Sequence, residues 1–266
     1  MMRIGSLFSG VGGLELGLEA AGVGHTVWQV EADEYRRAVL ARHWPSAERY
    51  PDVRYGDSAN LAPVDLICGG FPCQDVSSAG KRAGLGGARS GLWYEYLRIV
   101  SELRPEWVVV ENVASGAAAW VDAVLAGLGE QGYACLPIPI AAADVGAPHE
   151  RARIFVVATA TSDVDAVLVR DEPRGRARSH GQAARVVTDH GTQRYVVPDA
   201  RGAQTAKRTM AERGGWRDAM PPVVRVADGL SRGLDSPSKR RAALGDAVVP
   251  QYAEVIGWVI RELLDG

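Results

Sequence analysis

The chain has 266 residues, 47% of them apolar, and its 30 lysines and arginines nearly balance 32 acidic residues. This size and composition predict one large α/β domain with a small second lobe. No apolar run approaches the length of a membrane-spanning helix, and the N-terminus does not read as a secretory signal. Three cysteines form neither a disulfide framework nor a paired-cysteine metal site, so we expect a reducing, cytoplasmic setting and no metal.

Residues 1–160 alternate between strand and helix patterns. The predicted strands are 1–8, 25–33, 53–57, 64–70, 106–113, 136–140 and 153–160, and the predicted helices are 14–21, 34–44, 90–103 and 121–132. Such alternation is typical of a doubly wound, mostly parallel sheet with helices on both faces. We therefore expect residues 1–160 to form an α/β core of the Rossmann-like type.

The alternation stops in residues 161–222, which are basic and rich in Gly and Ala, with YVVP (195–198) as the one good short strand. We expect a small irregular lobe there. Residues 223–266 contain the amphipathic run QYAEVIGWVIRELL, which predicts a helix that returns to the core. The residues expected on its apolar stripe are Val255, Ile256, Val259, Ile260 and Leu263.

Charge is distributed unevenly between these parts. Residues 170–241 hold 16 Lys/Arg against 8 Asp/Glu, a net charge of +8, whereas the remainder holds 14 against 24, a net charge of −10. A basic segment beside an acidic one predicts that a polyanion contacts one part of the chain. A solvated arginine-rich surface explains the same numbers, so charge alone does not decide for nucleic acid.

The stretch LFSGVGGLELG (7–17) joins the first strand to the first helix. Glycines at this place permit close backbone approach, and the amides at the start of a helix attract an anion. Glu31 ends the second predicted strand, where a carboxylate can bind a ribose diol. Asp57 follows the third and can accept an adenine amino group. These features predict an adenosine-type cofactor and leave NAD and S-adenosylmethionine unseparated.

The stretch GGFPCQDVS places Cys73 just past a central strand, in a turn that Pro72 stiffens. A thiol at this rim is a candidate nucleophile, because a nearby cation favours the reactive thiolate. Cys68, in the middle of a strand, and Cys135 read as structural. A non-functional loop cysteine is the alternative for Cys73.

Two further segments bring polar groups to the same rim. The strand VVVENV ends in Glu111 and Asn112, and the segment HERARIF carries Arg151 and Arg153, two apart and so predicted on one side of a strand. A capped strand end and a solvated edge are the alternatives. The convergence of a thiol, a carboxylate and two cations predicts a catalytic site.

Together these motifs, in this order, resemble the cytosine carbon-5 DNA methyltransferase family. LFSGVGGLELG resembles its cofactor loop, GGFPCQDVS its nucleophile loop, ENV its base-contacting acid and ERARIF its paired-arginine strand. GLGGARSGLWYE resembles the stretch after the cysteine, and ALGDAVVP resembles a C-terminal return motif. The match covers residues 3–160 and about 223–260.

The resemblance implies a reaction and roles for the rim residues. Cys73 would add to carbon 6 of a cytosine flipped out of the duplex, so that carbon 5 can take the methyl group of S-adenosylmethionine. Glu111 would hold ring nitrogen 3 and the exocyclic amine. Arg153, with Arg151, would stabilise the base and lower the pKa of the thiol, and Asn112 would shape the loop rather than react.

The resemblance also implies the cofactor site and the partners. The expected S-adenosylmethionine contacts are Phe8, Ser9, Gly10, Gly12, Gly13, Leu14, Glu31, Ala32, Asp57, Ser58, Pro72, Leu92, Asp246 and Val248. Residues 161–222 would recognise double-stranded DNA, with phosphate contacts that offset the cost of base flipping. We expect a monomer in a bacterial cell or a phage-infected host, with a cognate restriction nuclease as a possible partner.

Three residues depart from the family pattern: Ser6 where Asp is usual, Glu150 where Gln is usual, and Asp246 where Asn is usual. The carboxylate of Asp246 would repel the carboxylate of S-adenosylmethionine. It therefore turns away, or binds the ammonium group of the cofactor, or the chain uses a modified cofactor. On the repulsion hypothesis, Asp246→Asn tightens cofactor binding.

The alternatives are an RNA cytosine-5 methyltransferase, a catalytically impaired DNA-binding homologue and a nicotinamide oxidoreductase. The last leaves GGFPCQ and ENV unexplained.

Overall fold

The computed structural model describes residues 1–54, 60–72, 91–115, 117–146, 151–160, 187–189, 193–195 and 237–265. Its main sheet has seven strands: β1 Met2–Leu7, β2 Gly24–Val30, β3 Glu48–Tyr50, β4 Leu66–Gly69, β5 Trp107–Val113, β6 Ala134–Ile140 and β7 Arg153–Thr159. Its helices are α1 Gly13–Ala20, α2 Glu34–His43, α3 Gly91–Leu103, α4 Ala117–Glu130, α5 Pro237–Asp246 and α6 Pro250–Asp265.

The spatial strand order is β3-β2-β1-β4-β5-β7-β6, and every neighbouring pair is parallel except the two that involve β7. The predicted α/β class with a mostly parallel sheet is confirmed. β7 is antiparallel because it follows β6 directly, and the helical part of the described connection is a 3₁₀ helix, Ala142–Val145, instead of a crossover α-helix. As a result, β7 begins at the edge of the sheet where its neighbour β5 ends.

Alternate side chains of the strands pack into two hydrophobic cores, one on each face of the sheet. In β5, Val108 and Val110 pack with α3 and α4, whereas Trp107 and Val109 pack with α1 and α6. This near-continuous apolar strand is what a sheet covered on both faces requires. Both cores fix the sheet, and with it the polar residues at its edge.

Helix α6 returns to the core as its amphipathic pattern predicts. The fully buried residues Tyr252, Ile256 and Ile260 pack with Phe155 and with other members of the same core. Val255 and Leu263 pack against this core at its margin. Val259 is half-buried and is not among the side chains packed on this core, so the buried stripe of α6 differs from the predicted one at this residue.

Two predicted strands, 53–57 and 195–198, lie partly outside the described residues. The third strand is Glu48–Tyr50, ahead of the predicted 53–57, and Val53 is a buried turn residue beside it. The polar strand escaped detection because it is a three-residue edge strand paired only with β2. Within the basic segment, β8 Val187–Asp189 pairs antiparallel with β9 Gln193–Tyr195, and residues 196–198 of the predicted YVVP strand lie outside the described residues.

Among the described residues, no helix combines the length and apolar content that crossing a bilayer requires.

Candidate active site and cofactor site

The loop between β1 and α1 forms one half of the site. Phe8, Gly10 and Gly12 all have positive φ, and the Gly12 amide donates to the Ser9 carbonyl oxygen at 2.9 Å. Among the described residues, a Cβ atom built at Gly10 would meet nothing within 4 Å, so this part of the chain leaves space beside the loop. Leu14 is buried directly behind it.

Glu31 faces this loop from the end of β2. Its Oε2 accepts a hydrogen bond from the Gly10 amide at 2.7 Å, and its Oε1 accepts one from the Asp33 amide at 2.9 Å. The residue is only 8% exposed. Arg37 donates to the carbonyl oxygens of Glu31 and Ala32 and so fixes the backbone beside the carboxylate. Each carboxylate oxygen keeps a lone pair that a ribose hydroxyl can use.

The return segment, residues 245–249 at the end of α5 and in the turn before α6, closes over the same loop. A Cβ atom at Gly13 would collide with the carbonyl oxygen of Val248, so only glycine permits this approach. Leu92 packs against the core at the start of α3, and Pro72 is exposed. Asp57 and Ser58, two of the expected cofactor contacts, lie outside the described residues.

The turn after β4 forms the other half of the site. Asn112 Nδ2 donates to the Phe71 carbonyl oxygen at 3.0 Å, and the Phe71 ring packs against Trp93 and Trp120. These contacts fix the residues that lead into Cys73, and they fit the expectation that Asn112 shapes the loop. Cys73 itself follows Pro72 and lies outside the described residues.

Glu111 lies beside this turn, 7% exposed. A Cβ atom at Gly70 would stand 2.5 Å from Glu111 Oε2, so the second glycine of GGFPC makes room for the carboxyl group. Arg153 Nε lies 2.8 Å from Glu111 Oε1. The pair is close but not aligned for a hydrogen bond, since Oε1 is buried without a hydrogen-bond partner.

Burial raises the pKa of Glu111 from 4.5 to about 7, against the opposing charges of Arg153 and Arg151. A carboxyl group with this pKa exchanges a proton near neutral pH. It can donate a proton to a ring nitrogen or accept a hydrogen bond from an amine.

Arg151 and Arg153 do not share one side of a strand, contrary to the prediction from their spacing. β7 begins at Arg153, and Arg151 precedes it with a φ of +36°. Arg151 Nη2 donates to the carbonyl oxygens of Gly245 and Ala247 at 2.8 and 2.7 Å, and Tyr252 Oη donates to the Arg151 carbonyl oxygen at 2.7 Å. Arg151 therefore holds the return segment against the catalytic edge.

A family model described as C-5 cytosine-specific DNA methylase matches residues 2–212. The chain belongs to this family.

Individual relatives agree with this membership. The chain is 29% identical over 272 residues to the type II methyltransferase M2.BsuMI of Bacillus subtilis, covering 97% of this chain and 62% of the relative. It is 31% identical over 160 residues to M.HhaI of Haemophilus parahaemolyticus, covering 59% of this chain and 48% of the relative. The chain thus spans less than two thirds of the length of either relative. The S. pombe Dnmt2 methyltransferase has the same fold, with a TM-score of 0.63 at 14% identity and 99% of each chain covered.

The described residues fit the S-adenosylmethionine that methyltransferases of this family generally use. The space that the described residues leave beside Gly10, the amides at the start of α1 and the oriented carboxylate of Glu31 form a cradle for an adenosine whose side chain ends in a carboxylate. In this part of the chain no three His, Cys, Asp or Glu residues are grouped to hold a metal ion.

Asp246, the departure in the return motif, points to α2. Its Oδ2 lies 2.5 Å from Arg36 Nη2, and its side chain is 68% exposed. Of the alternatives left open by the sequence, this geometry matches a carboxylate that turns away from the cofactor.

Sequence reasoning missed Arg36 because it is 210 positions from its partner. It also missed the glutamate Glu15, whose surroundings are described below. The one signal in the sequence for Glu15 was its place as a charged residue on the core-facing side of α1, where it is buried.

Proposed function

We propose that this family member transfers the methyl group of S-adenosylmethionine to carbon 5 of cytosine in double-stranded DNA. The supporting observation is the buried Glu111, with its raised pKa and its ion pair to Arg153, beside the turn that leads into Cys73. A carboxyl group of this kind is suited to bind the polar edge of a flipped base.

The thiolate of Cys73 forms a bond to carbon 6 of the cytosine, and the carbon 5–carbon 6 double bond opens toward carbon 5. S-adenosylmethionine, when bound, supplies the methyl group that carbon 5 takes. Transfer of the proton from carbon 5 to solvent water then restores the double bond and expels the thiolate.

Glu111 supports this sequence by donating a proton to ring nitrogen 3 while it accepts from the exocyclic amine. Protonation withdraws electrons from the ring, so the attack at carbon 6 becomes easier. Arg153 stabilises the ionised form of Glu111 and brings positive charge to the site. Asn112 holds the nucleophile loop through Phe71.

Flipping the base out of the duplex costs a few kcal/mol. We propose that residues 161–222 recognise the target, and that the overlapping basic stretch 170–241, with its net charge of +8, offsets this cost through contacts with phosphates. We further propose that the protein methylates DNA as a monomer. A cognate restriction nuclease in the same cell is its proposed partner.

Covalent trapping tests the proposal. The full chain is incubated with S-adenosylmethionine and a duplex library in which 5-fluorocytosine replaces cytosine, and the product is resolved by denaturing electrophoresis and mass spectrometry. Fluorine at carbon 5 prevents the elimination, so an adduct on Cys73 should accumulate. Cys73→Ser should abolish it, and Cys135→Ser, which alters a buried cysteine away from the rim, should retain it.

The absence of any adduct with a competent cofactor would overturn the proposal. An adduct on fluorinated transfer RNA but not on the duplex would replace DNA with RNA as the substrate.

A further inference from the structure

A buried polar cluster lies beneath the cofactor loop and takes no part in the reaction described above. It consists of Ser6 on β1, Ser9 in the loop, Glu15 on α1 and Gln29 on β2. Ser6, Glu15 and Gln29 are 0% exposed, and Ser9 is 7% exposed. We call these four residues the loop-anchor cluster.

Within the cluster, one hydrogen bond joins β2 to α1 and another joins the loop to β1. Gln29 Nε2 donates to Glu15 Oε1 at 3.3 Å, and Ser9 Oγ donates to Ser6 Oγ at 2.9 Å. Because Ser6 accepts from Ser9, its own hydroxyl hydrogen is available to the carboxyl group of Glu15. Glu15 Oε2 has no aligned donor in the structure and so has room for that bond.

The pKa of Glu15 is consistent with a hydrogen bond from the Ser6 hydroxyl to its carboxyl group. Burial raises the pKa of Glu15, and Ser6 is the first of the neighbours that oppose the rise, followed by the helix backbone, Gln29 and Ser9. The stabilising groups are thus hydroxyls and amides. Burying a carboxyl group without such partners would cost several kcal/mol.

The cluster connects directly to the cofactor site. The Ser9 amide donates to the Val30 carbonyl oxygen at 3.1 Å, and the next residue, Gly10, donates its amide to Glu31. A hydrogen bond from the Ser6 hydroxyl to Glu15 Oε2 would link the carboxyl group of Glu15, through Ser6 and Ser9, to the loop that orients Glu31. A shift of Ser9 would displace the Gly10 amide.

We infer that Glu15 is a positioning residue for the cofactor. The carboxyl group of Glu15, which lies on α1, holds the Ser9–Gly10 backbone in the conformation that binds the cofactor. It takes the place of the aspartate expected at Ser6. The inference rests on the proposed function, because it assigns the loop to S-adenosylmethionine. It also accounts for a serine at position 6, because the carboxyl group lies on α1, at Glu15, instead of on β1, at residue 6.

The test is a charge swap read by calorimetric titration with S-adenosylhomocysteine, which binds without reacting. Glu15→Gln preserves the volume and should weaken binding about tenfold, since an amide keeps only one of the two acceptor oxygens that Gln29 and Ser6 can use. Ser6→Asp alone places two carboxyl groups in one buried site and should weaken binding at least as much. The double variant, Ser6→Asp with Glu15→Gln, restores a single carboxyl group and should recover the affinity to within about threefold.

A second cycle covers the case in which Ser6→Asp fails to fold. Ser9→Ala should weaken binding in the wild-type background and have little further effect in Glu15→Gln, because both changes break the same link. Asp65→Asn is the control, a carboxylate just before β4 at the opposite end of the sheet from the loop. Its Oδ2 accepts a hydrogen bond from the Arg3 amide at 2.7 Å. It should lower the melting temperature and leave the affinity unchanged.

Wild-type affinity in Glu15→Gln, or additive losses in Ser9→Ala with Glu15→Gln, would overturn the inference. These outcomes are distinguishable from a failure of the proposed function: a chain that binds S-adenosylhomocysteine but forms no adduct refutes only the reaction, and a chain that does not bind it refutes both.

Discussion

Glu111→Gln should change the pH dependence of stability. The rise in the pKa of Glu111 from 4.5 to about 7 corresponds to about 3 kcal/mol, at about 1.4 kcal/mol per pH unit. Because the folded state holds the proton more tightly than the unfolded state, this stabilisation is complete below about pH 4.5 and is lost as the pH rises through about 7. Glutamine does not titrate, so the variant lacks this dependence.

The measurement is guanidinium unfolding of the wild type and the variant, followed by circular dichroism between pH 4.5 and 8. The free energy of unfolding of Glu111→Gln minus that of the wild type should rise by about 3 kcal/mol across this range. The charge of Arg153, left without its partner, adds an offset that does not vary with pH. Glu262→Gln removes an exposed carboxylate and is the control, for which the difference should stay flat. A flat or falling difference for Glu111→Gln would refute the assignment of a proton-holding carboxyl group.

Two further substitutions test the geometry of the site. Gly70→Ala places a methyl group 2.5 Å from Glu111 Oε2, so the carboxyl group must move. The yield of the trapped adduct should fall at least tenfold in a chain whose circular dichroism is unchanged. A normal yield would contradict the close approach of Gly70 to Glu111. Arg36→Ala removes the partner of Asp246 and should weaken S-adenosylhomocysteine, which has a carboxylate, about two- to fivefold, but not 5′-methylthioadenosine, which has none. Equal losses for both ligands in the titration would show that Asp246 does not act on the cofactor by charge.

The sequence alone predicted those features that depend on near neighbours in the chain. The glycine loop after β1, the GGFPC turn after β4 and the carboxylate at the end of β5 are each recognisable within about ten residues. Their convergence follows from a general property of parallel sheets, whose carboxyl ends share one edge. The family resemblance, which rests on the order of these same motifs, is confirmed by the family model.

The tertiary structure decided whatever depends on residues far apart in the chain. β7 lies antiparallel between β5 and β6, and this brings Arg153 beside Glu111 and turns Arg151 toward the return segment. Asp246 meets Arg36 only because α5 ends above α2. A linear pattern records which residues can be charged or apolar, but the cost of burying a charge, and the partner that offsets it, exist only once the chain has packed.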